Sequence, residues 1–347
     1  MHMADALLSP AVGVTFWAGT AAAIGYASKK LKENIDDRKI PLMGVLGAFI
    51  FASQMINFTI PGTGSSGHIG GGMILAVLLG PHAAFLVMAS VLTVQALFFA
   101  DGGLLALGCN IWNMGFFPCY IAYPLIYKPL AGDASNPRRV FAAALAGAVI
   151  GLQLGAFSVV LQTFMSGKSE LPFGTFVLLM QPIHLAIGMI EGFVTAGVVH
   201  YVRAVRPEII ESSAISGALP KNISLRNVLA GFVILAVVTG GALSWFASAY
   251  PDGLEWSIER ITGNTELPEQ ERGLPAQLRS LQEKTALLPD YGFKTAENEA
   301  ADAEKTSPRP AVDAGATVSG LLGGALVLVL SLAVGYIVHA LRKSRAH

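Results

Sequence analysis

The chain has 347 residues, of which 53% are hydrophobic and only 13% charged, with a mean hydropathy of +0.57 and a formal net charge of zero. Soluble domains carry about 25% charged residues, so this composition nearly excludes soluble-enzyme folds and points to an integral membrane protein. No basic patch alternates with aromatics, which argues against a nucleic-acid partner.

Residues 1–10 contain no Lys or Arg, so they lack the basic region of a secretory signal and the first helix is expected to be retained. Apolar runs bounded by charge and Gly/Pro clusters predict helices near 10–28, 40–60, 69–79, 82–99, 105–127, 139–164 and 173–203. Two more follow near 226–249 and 315–341, giving an all-α membrane protein of about nine transmembrane helices. Gly80-Pro81 makes the short third helix turn back. The first seven helices form one bundle, expected over 1–205. A cytoplasmic linker over 206–225 follows, then a two-helix hairpin over 226–347 with an outer loop at 250–314. That loop holds 13 acidic and 7 basic residues, and 296–317 lacks apolar residues to bury, so it is expected to be mobile. No internal repeat of the secondary-transporter kind is evident.

Basic residues set the orientation. Lys29, Lys30, Lys32, Arg38, Lys39, Lys128, Arg138, Arg139, Arg203, Arg206, Lys221, Arg226, Arg342, Lys343 and Arg345 fall on one side, with only Lys168 in a short loop opposite. The long loop can be translocated whatever its charge, so the N-terminus is expected outside and the C-terminus in the cytoplasm.

An outward N-terminus gives Met1-His2 chemical meaning. The α-amine, the His2 amide nitrogen and the His2 imidazole Nδ1 can close a five-membered and a six-membered chelate ring on one ion. A fourth nitrogen completes a plane, and a plane of nitrogens selects Ni(II) or Cu(II) through d-electron geometry. The glycine-rich run from Thr63 to Gly72 lies on the same side, and His68 is its only imidazole, the natural fourth nitrogen. The imidazoles also need acceptors that fix tautomer and orientation; Gln54, Asn57 and Asn113 are the candidates. His82, His200, His339 and His347 are weaker ligand candidates by position.

Polar residues inside predicted spans are costly and worth noting: Gln54, Asn57, Gln95, Asn110, Asn113, Gln153, Gln181, His184 and Glu191. Glu191 and His184, two turns apart, share a helix face and could help hold a cation or a proton. Cys109 and Cys119 are ten residues apart, about 15 Å along a helix, so they are read as buried apolar residues. Ser166-Gly167-Lys168-Ser169 imitates the end of a phosphate loop, but Gln162 stands where its opening glycine belongs; ATP hydrolysis would come from another chain. Ala18, Ala22 and Gly25 form a small-residue stripe on the first helix that packs either a partner or, by slight preference, the same bundle.

Residues 1–10, the Ser66-to-Gly72 loop and the segment Asn110-Ile111-Trp112-Asn113-Met114-Gly115 together resemble the CbiM/NikM proteins. These are the substrate-binding membrane components of energy-coupling-factor transporters for cobalt and nickel. The resemblance covers about residues 1–205. Tyr250 to Ser257 resembles the PDGLE signature of the small NikN-type component, here in the same chain; read alone, Pro251-Asp252-Gly253 is only a turn.

The resemblance implies that the Met1 amine, the His2 amide and imidazole, and the His68 imidazole hold the transported metal. It implies a CbiQ/NikQ-like coupling subunit, a CbiO/NikO-like cytoplasmic ATPase, and a place in a prokaryotic plasma membrane. Cobalt members typically begin Met-His-Ile-Met-Glu-Gly, whereas this chain reads Met-His-Met-Ala-Asp-Ala; the departure and the fusion favour Ni(II), with Co(II) open.

A secondary carrier using Glu191 and His184 as a proton relay is the alternative transport reading. A metalloenzyme is disfavoured because the proposed ligands leave no open in-plane position. The hairpin is expected to assist loading without supplying ligands, its loop having neither His nor Cys.

Overall fold

The computed structural model describes residues 1–34, 36–133, 136–215, 217–220, 222–293 and 312–343. It is mostly helical. In the first unit α1 (Pro10–Asn34) and α2 (Ile40–Gln54) precede a small hairpin, β1 (Phe58–Ile60) and β2 (Ser65–Gly67), with Phe58 opposite Gly67. Extended Phe-Thr-Ile followed by Pro61-Gly62-Thr63-Gly64 supplies the strand and turn residues, which is why α2 stops short of residue 60. Helices α3 (Gly72–Leu79) and α4 (Pro81–Phe99) meet at the expected Gly80-Pro81 turn.

The next apolar stretch is α5 (Leu107–Ile111), a widened π-helical segment over Trp112–Tyr127, and α6 (Lys128–Ala131). Pro118 and Pro124 lie inside the widened segment, where each lacks the N–H that a regular α-turn would use. Then come the paired α7 (Pro137–Met165) and α8 (Phe173–Val205). Helices α4, α7, α8 and the final helix α13 (Ala314–Lys343) are long and apolar enough to cross a membrane.

The stretch expected to be a plain linker holds α9 (Pro207–Ala214), packed on α3 and α8. Its sequence is amphipathic: Ile209 and Ile210 are buried, and Ser213 Oγ donates to the Leu78 carbonyl at 2.7 Å. In the second unit α10 (Arg226–Gly241) and α13 both pack against α2, so the two units share a broad helix interface.

The loop over 250–314 is also ordered where it is described. Helix α11 (Gly253–Thr262) buries Leu254, Ser257 and Ile258. Helix α12 (Leu274–Thr285) is tied to the end of α4 by Gln282, whose amide donates to the carbonyls of Ala96 (2.9 Å) and Gly102 (2.7 Å). The Leu287 and Leu288 amides both donate to the Phe98 carbonyl. Of the segment expected to be mobile, 314–317 is the first turn of α13 and 294–311 lie outside the described residues, as do Lys221, Arg345 and His347. Ala18, Ala22 and Gly25 are exposed on α1, so the stripe does not pack within this bundle.

Candidate metal centre

The N-terminal segment folds back into the protein instead of fraying. Met3, Leu7 and Leu8 are buried, and a short 3-10 turn over Asp5–Leu7 delivers the chain into α1. Asn110 clamps Met3 on both sides of its peptide: Met3 N–H donates to Asn110 Oδ1 at 2.8 Å, and Asn110 Nδ2 donates to Met3 O at 3.2 Å. Gly103 N–H donates to the same Met3 carbonyl at 2.9 Å, and Asp5 Oδ1 accepts from Ala106 N–H at 2.9 Å. A Cβ at Gly103 would stand 1.8 Å from Asp5 Oδ1, so only glycine permits this approach.

His2 and His68 come together, ring centroids 5.2 Å apart. Their tautomers follow from a hydrogen-bond chain anchored on backbone. Gln54 Nε2 donates to the Gly70 carbonyl at 2.8 Å, which turns Gln54 Oε1 toward Gln95. Gln95 Nε2 donates to that oxygen at 2.8 Å, leaving Gln95 Oε1 to face His2 Nε2 at 3.1 Å. His2 Nε2 must therefore be the N–H donor, and Nδ1 keeps its lone pair. At His68, Nδ1 lies 3.1 Å from the Ile69 carbonyl and donates to it, which leaves Nε2 with the lone pair. Burial, with the nearby terminal ammonium next in effect, lowers His2 to about 3 and His68 to about 4. Both rings are thus neutral near pH 7, the form in which imidazole binds metal.

His2 Nδ1, the lone-pair nitrogen, faces Asp101 Oδ1 at 3.4 Å, while Tyr291 OH donates to Asp101 Oδ2 at 2.5 Å. Burial raises the Asp101 carboxyl above its ordinary range, against the Tyr291 hydrogen bond. Two acceptors directed at each other make a natural place for a cation. Among the described residues no group of three His, Cys, Asp or Glu side chains has metal-ligand spacing.

The glycine loop carrying His68 is fixed from below. Glu191 accepts the Gly70 and Gly71 amides at 2.8 and 3.0 Å, and Gln54 holds the Gly70 carbonyl. Glu191 does not pair with His184, whose Nδ1 meets the Met180 carbonyl at 2.7 Å, although both are buried on α8 as their spacing requires.

The second unit reaches the site, beyond what its lack of His and Cys led one to expect. Asp252 Oδ2 lies 3.1 Å from the Met1 ammonium. Burial alone would raise this carboxyl, but the terminal ammonium and the Glu255 amide outweigh it and hold Asp252 well below the ordinary range. Burial and Asp252 push Glu255 up to about 7. Beside His2 opens a cleft of about 200 Å³, lined by Asp5, Asp101, Asp252, Glu255, Glu266 and Glu269 among others, an acidic approach from outside the pocket.

Of the residues expected to steady the imidazoles, Gln54 acts one bond removed, through Gln95. Asn113 exchanges hydrogen bonds with Gln162 and donates to Met3 Sδ at 3.6 Å, and so steadies the terminus. Asn57 is away from both rings; its carbonyl accepts the Ser248 amide. The direct partners Gln95 and Asp101 were not singled out by sequence for this role. Gln95 did stand out as a polar residue in an apolar helix, and Asp101 precedes the Gly102-Gly103 pair that lets the terminus approach. Cys109 and Cys119 are buried free thiols. His82 lies beside Tyr120, His339 beside Asp37, and His200 on α8, all apart from this cluster.

Residues 2–209 match the CbiM family, the cobalt uptake substrate-specific transmembrane region, and residues 226–340 match the PDGLE domain. A protein of Archaeoglobus fulgidus with the provisional name fused nickel transport protein NikMN is 33% identical over 339 residues, covering 96% of this chain and 98% of that one. The fused nickel transport protein NikMN of Rhodobacter capsulatus is 30% identical, covering 94% and 95%. The cobalt transport protein CbiM of Sorangium cellulosum is 29% identical and covers 61% of this chain and 95% of its own. A crystal structure of a truncated transition metal transporter superposes with a TM-score of 0.52 at 30% identity, covering 59% of this chain and 99% of that one. These relatives are transport proteins, not enzymes. The chain belongs to the CbiM family of nickel and cobalt transport proteins, with a PDGLE domain in the same polypeptide.

Proposed function

We propose that the chain captures Ni(II) outside a prokaryotic plasma membrane as the substrate-binding component of an ATP-driven energy-coupling-factor importer. The observation that carries this reading is the meeting of two neutral imidazoles, with lone pairs on His2 Nδ1 and His68 Nε2, beside the Met1 amine. Amine, His2 amide nitrogen, His2 Nδ1 and His68 Nε2 make a four-nitrogen plane that suits Ni(II). The acidic cleft raises the local concentration of cations at its mouth. The names of the full-length fused relatives support nickel; Co(II) is the competing cargo, favoured by the family description and the cobalt relative.

In this reading residues 1–205 form the metal-binding domain, 206–225 connect, and 226–347 form the PDGLE unit. About nine helices span the membrane with the N-terminus outside, so that the cleft opens outward. The exposed Ala18, Ala22 and Gly25 stripe suits close approach of a CbiQ/NikQ-like coupling subunit, driven by a CbiO/NikO-like ATPase. Glu191 as an amide acceptor for the glycine loop leaves the proton-relay alternative without support. Titration of purified His2→Ala and His68→Ala proteins is the test: each is expected to lose high-affinity Ni(II) binding while staying folded. Wild-type affinity in both would refute the site, and competition between Ni(II) and Co(II) ranks the cargoes.

A further inference from the structure

The PDGLE unit meets the Met1 amine through Asp252, and the residues around Asp252 are arranged to hold that contact. Asp252 is the N-cap of α11: its Oδ1 accepts the Leu254 and Glu255 amides at 2.7 and 2.9 Å, and Glu255 Oε2 accepts the Asp252 amide at 2.9 Å, closing a capping box. With Oδ1 occupied, Oδ2 is turned to the Met1 amine. The preceding carbonyls are pinned to β2, Ser66 N–H donating to Pro251 O at 2.8 Å and Ser66 Oγ to Tyr250 O at 2.7 Å. Gly253 seats the turn against α8, since a Cβ there would stand 2.5 Å from Ile183 Cγ2. Leu254 is buried beneath the helix. Each letter of Pro-Asp-Gly-Leu-Glu thus has a place in presenting one carboxylate oxygen to the amine.

We propose that Asp252 is a positioning residue for metal capture: its carboxylate aims the Met1 amine at the ion and balances the charge of the loaded site. The inference rests on the ligand set proposed above. When Ni(II) enters, the ammonium gives up one proton and the His2 amide another, both to water in the cleft. The ion brings two positive charges and two protons leave, so the pocket opposite Asp252 carries one net positive charge before and after. The coordinated amine keeps two N–H groups, and one continues to donate to Oδ2, directing its lone pair to the metal, as carboxylates do for metal-bound imidazoles. Without the carboxylate, the amine loses the acceptor that directs its lone pair at the ion, and affinity falls.

The capping box separates this role from a structural one. Asp252→Asn keeps a good N-cap but removes the charge, whereas Ile258→Ala loosens the packing of α11 and leaves the carboxylate on the amine. In the full-length purified protein, Asp252→Asn is expected to bind Ni(II) about tenfold more weakly. Its planar Ni(II) absorption band should also move to longer wavelength, because a misdirected amine is a weaker donor. Ile258→Ala is expected to lower the melting temperature while keeping wild-type affinity and spectrum. Asp252→Ser, also a good cap, repeats the charge test if the asparagine variant does not fold. Unchanged or tighter binding with an unmoved band in folded Asp252→Asn overturns the proposal. His68→Ala is run alongside: if it retains wild-type affinity, the ligand set has failed; if it loses binding while Asp252→Asn does not, only the role of Asp252 has failed.

Discussion

His2 presents Nδ1 because Gln95 occupies Nε2, and Gln95 is oriented by Gln54, which is oriented by a backbone carbonyl. Gln95→Leu removes the acceptor and frees the ring to rotate, so it is expected to weaken Ni(II) binding by about 10- to 100-fold with the fold retained. Titration beside Gln54→Leu, expected to be the milder variant, checks the order of the chain. Acidity acts in two ways. With His2 at about 3 and His68 at about 4, neither imidazole titrates between pH 5 and 8. Affinity should still rise with pH in that window, because metal binding expels the amine and amide protons. A flat profile between about pH 5 and 8 would contradict the amine–amide chelate. Stability of the metal-free protein follows the same imidazoles. Their folded values lie below the ordinary 6.5, so the unfolded chain takes up protons first. Their contribution is fully present above pH 6.5 and is lost as pH falls from 6.5 to about 4 for His68 and to about 3 for His2, which melting curves over that range would record.

The terminus and the glycine loop make the proposed site, and each is held by a helix residue outside the proposed ligand set. Asn110 and Gly103 clasp the terminus, while Glu191 clasps the glycine loop. Glu191→Leu strips two buried amides of their acceptor and is expected to cost about 1–3 kcal/mol per unpaired donor, with loss of Ni(II) affinity as His68 drifts. Gly103→Ala forces the Asp5 carboxylate away and should displace the terminal segment, lowering affinity while the helices remain folded. Circular dichroism with nickel titration separates the two effects. The helices themselves were legible from apolar run lengths. The β1–β2 hairpin, α9, α11 and α12 were not, since their short amphipathic runs bury only one side, and only against neighbours distant in sequence.

At the scale of the molecule, the second unit is both a helix pair on α2 and a cover over the cleft beside His2, joined through α11 and α12. Removing residues 226–347 is therefore expected to lower nickel uptake in cells that contain the coupling subunit and ATPase. Contrary to the expectation from sequence, it should also weaken equilibrium binding by about tenfold, because Asp252 leaves with the unit. Adding one residue before Met1 should be nearly as damaging as His2→Ala, since it converts the amine to an amide and intrudes on the Asp252 contact at 3.1 Å. Full binding by the extended protein would show that the terminus is not a ligand.

The sequence by itself determined the membrane character, the helix places, and the candidacy of Met1, His2 and His68. Hydropathy depends on composition over a window, and a chelate ring depends on adjacent atoms, so both are local. Only the tertiary structure decided which nitrogen of each imidazole is free, that Gln95 and not Gln54 touches His2, and that Asp252 meets the amine. These contacts join residues 93 and 251 positions apart, and nothing local to either partner encodes the hydrogen-bond direction or the ion pair that packing brings about.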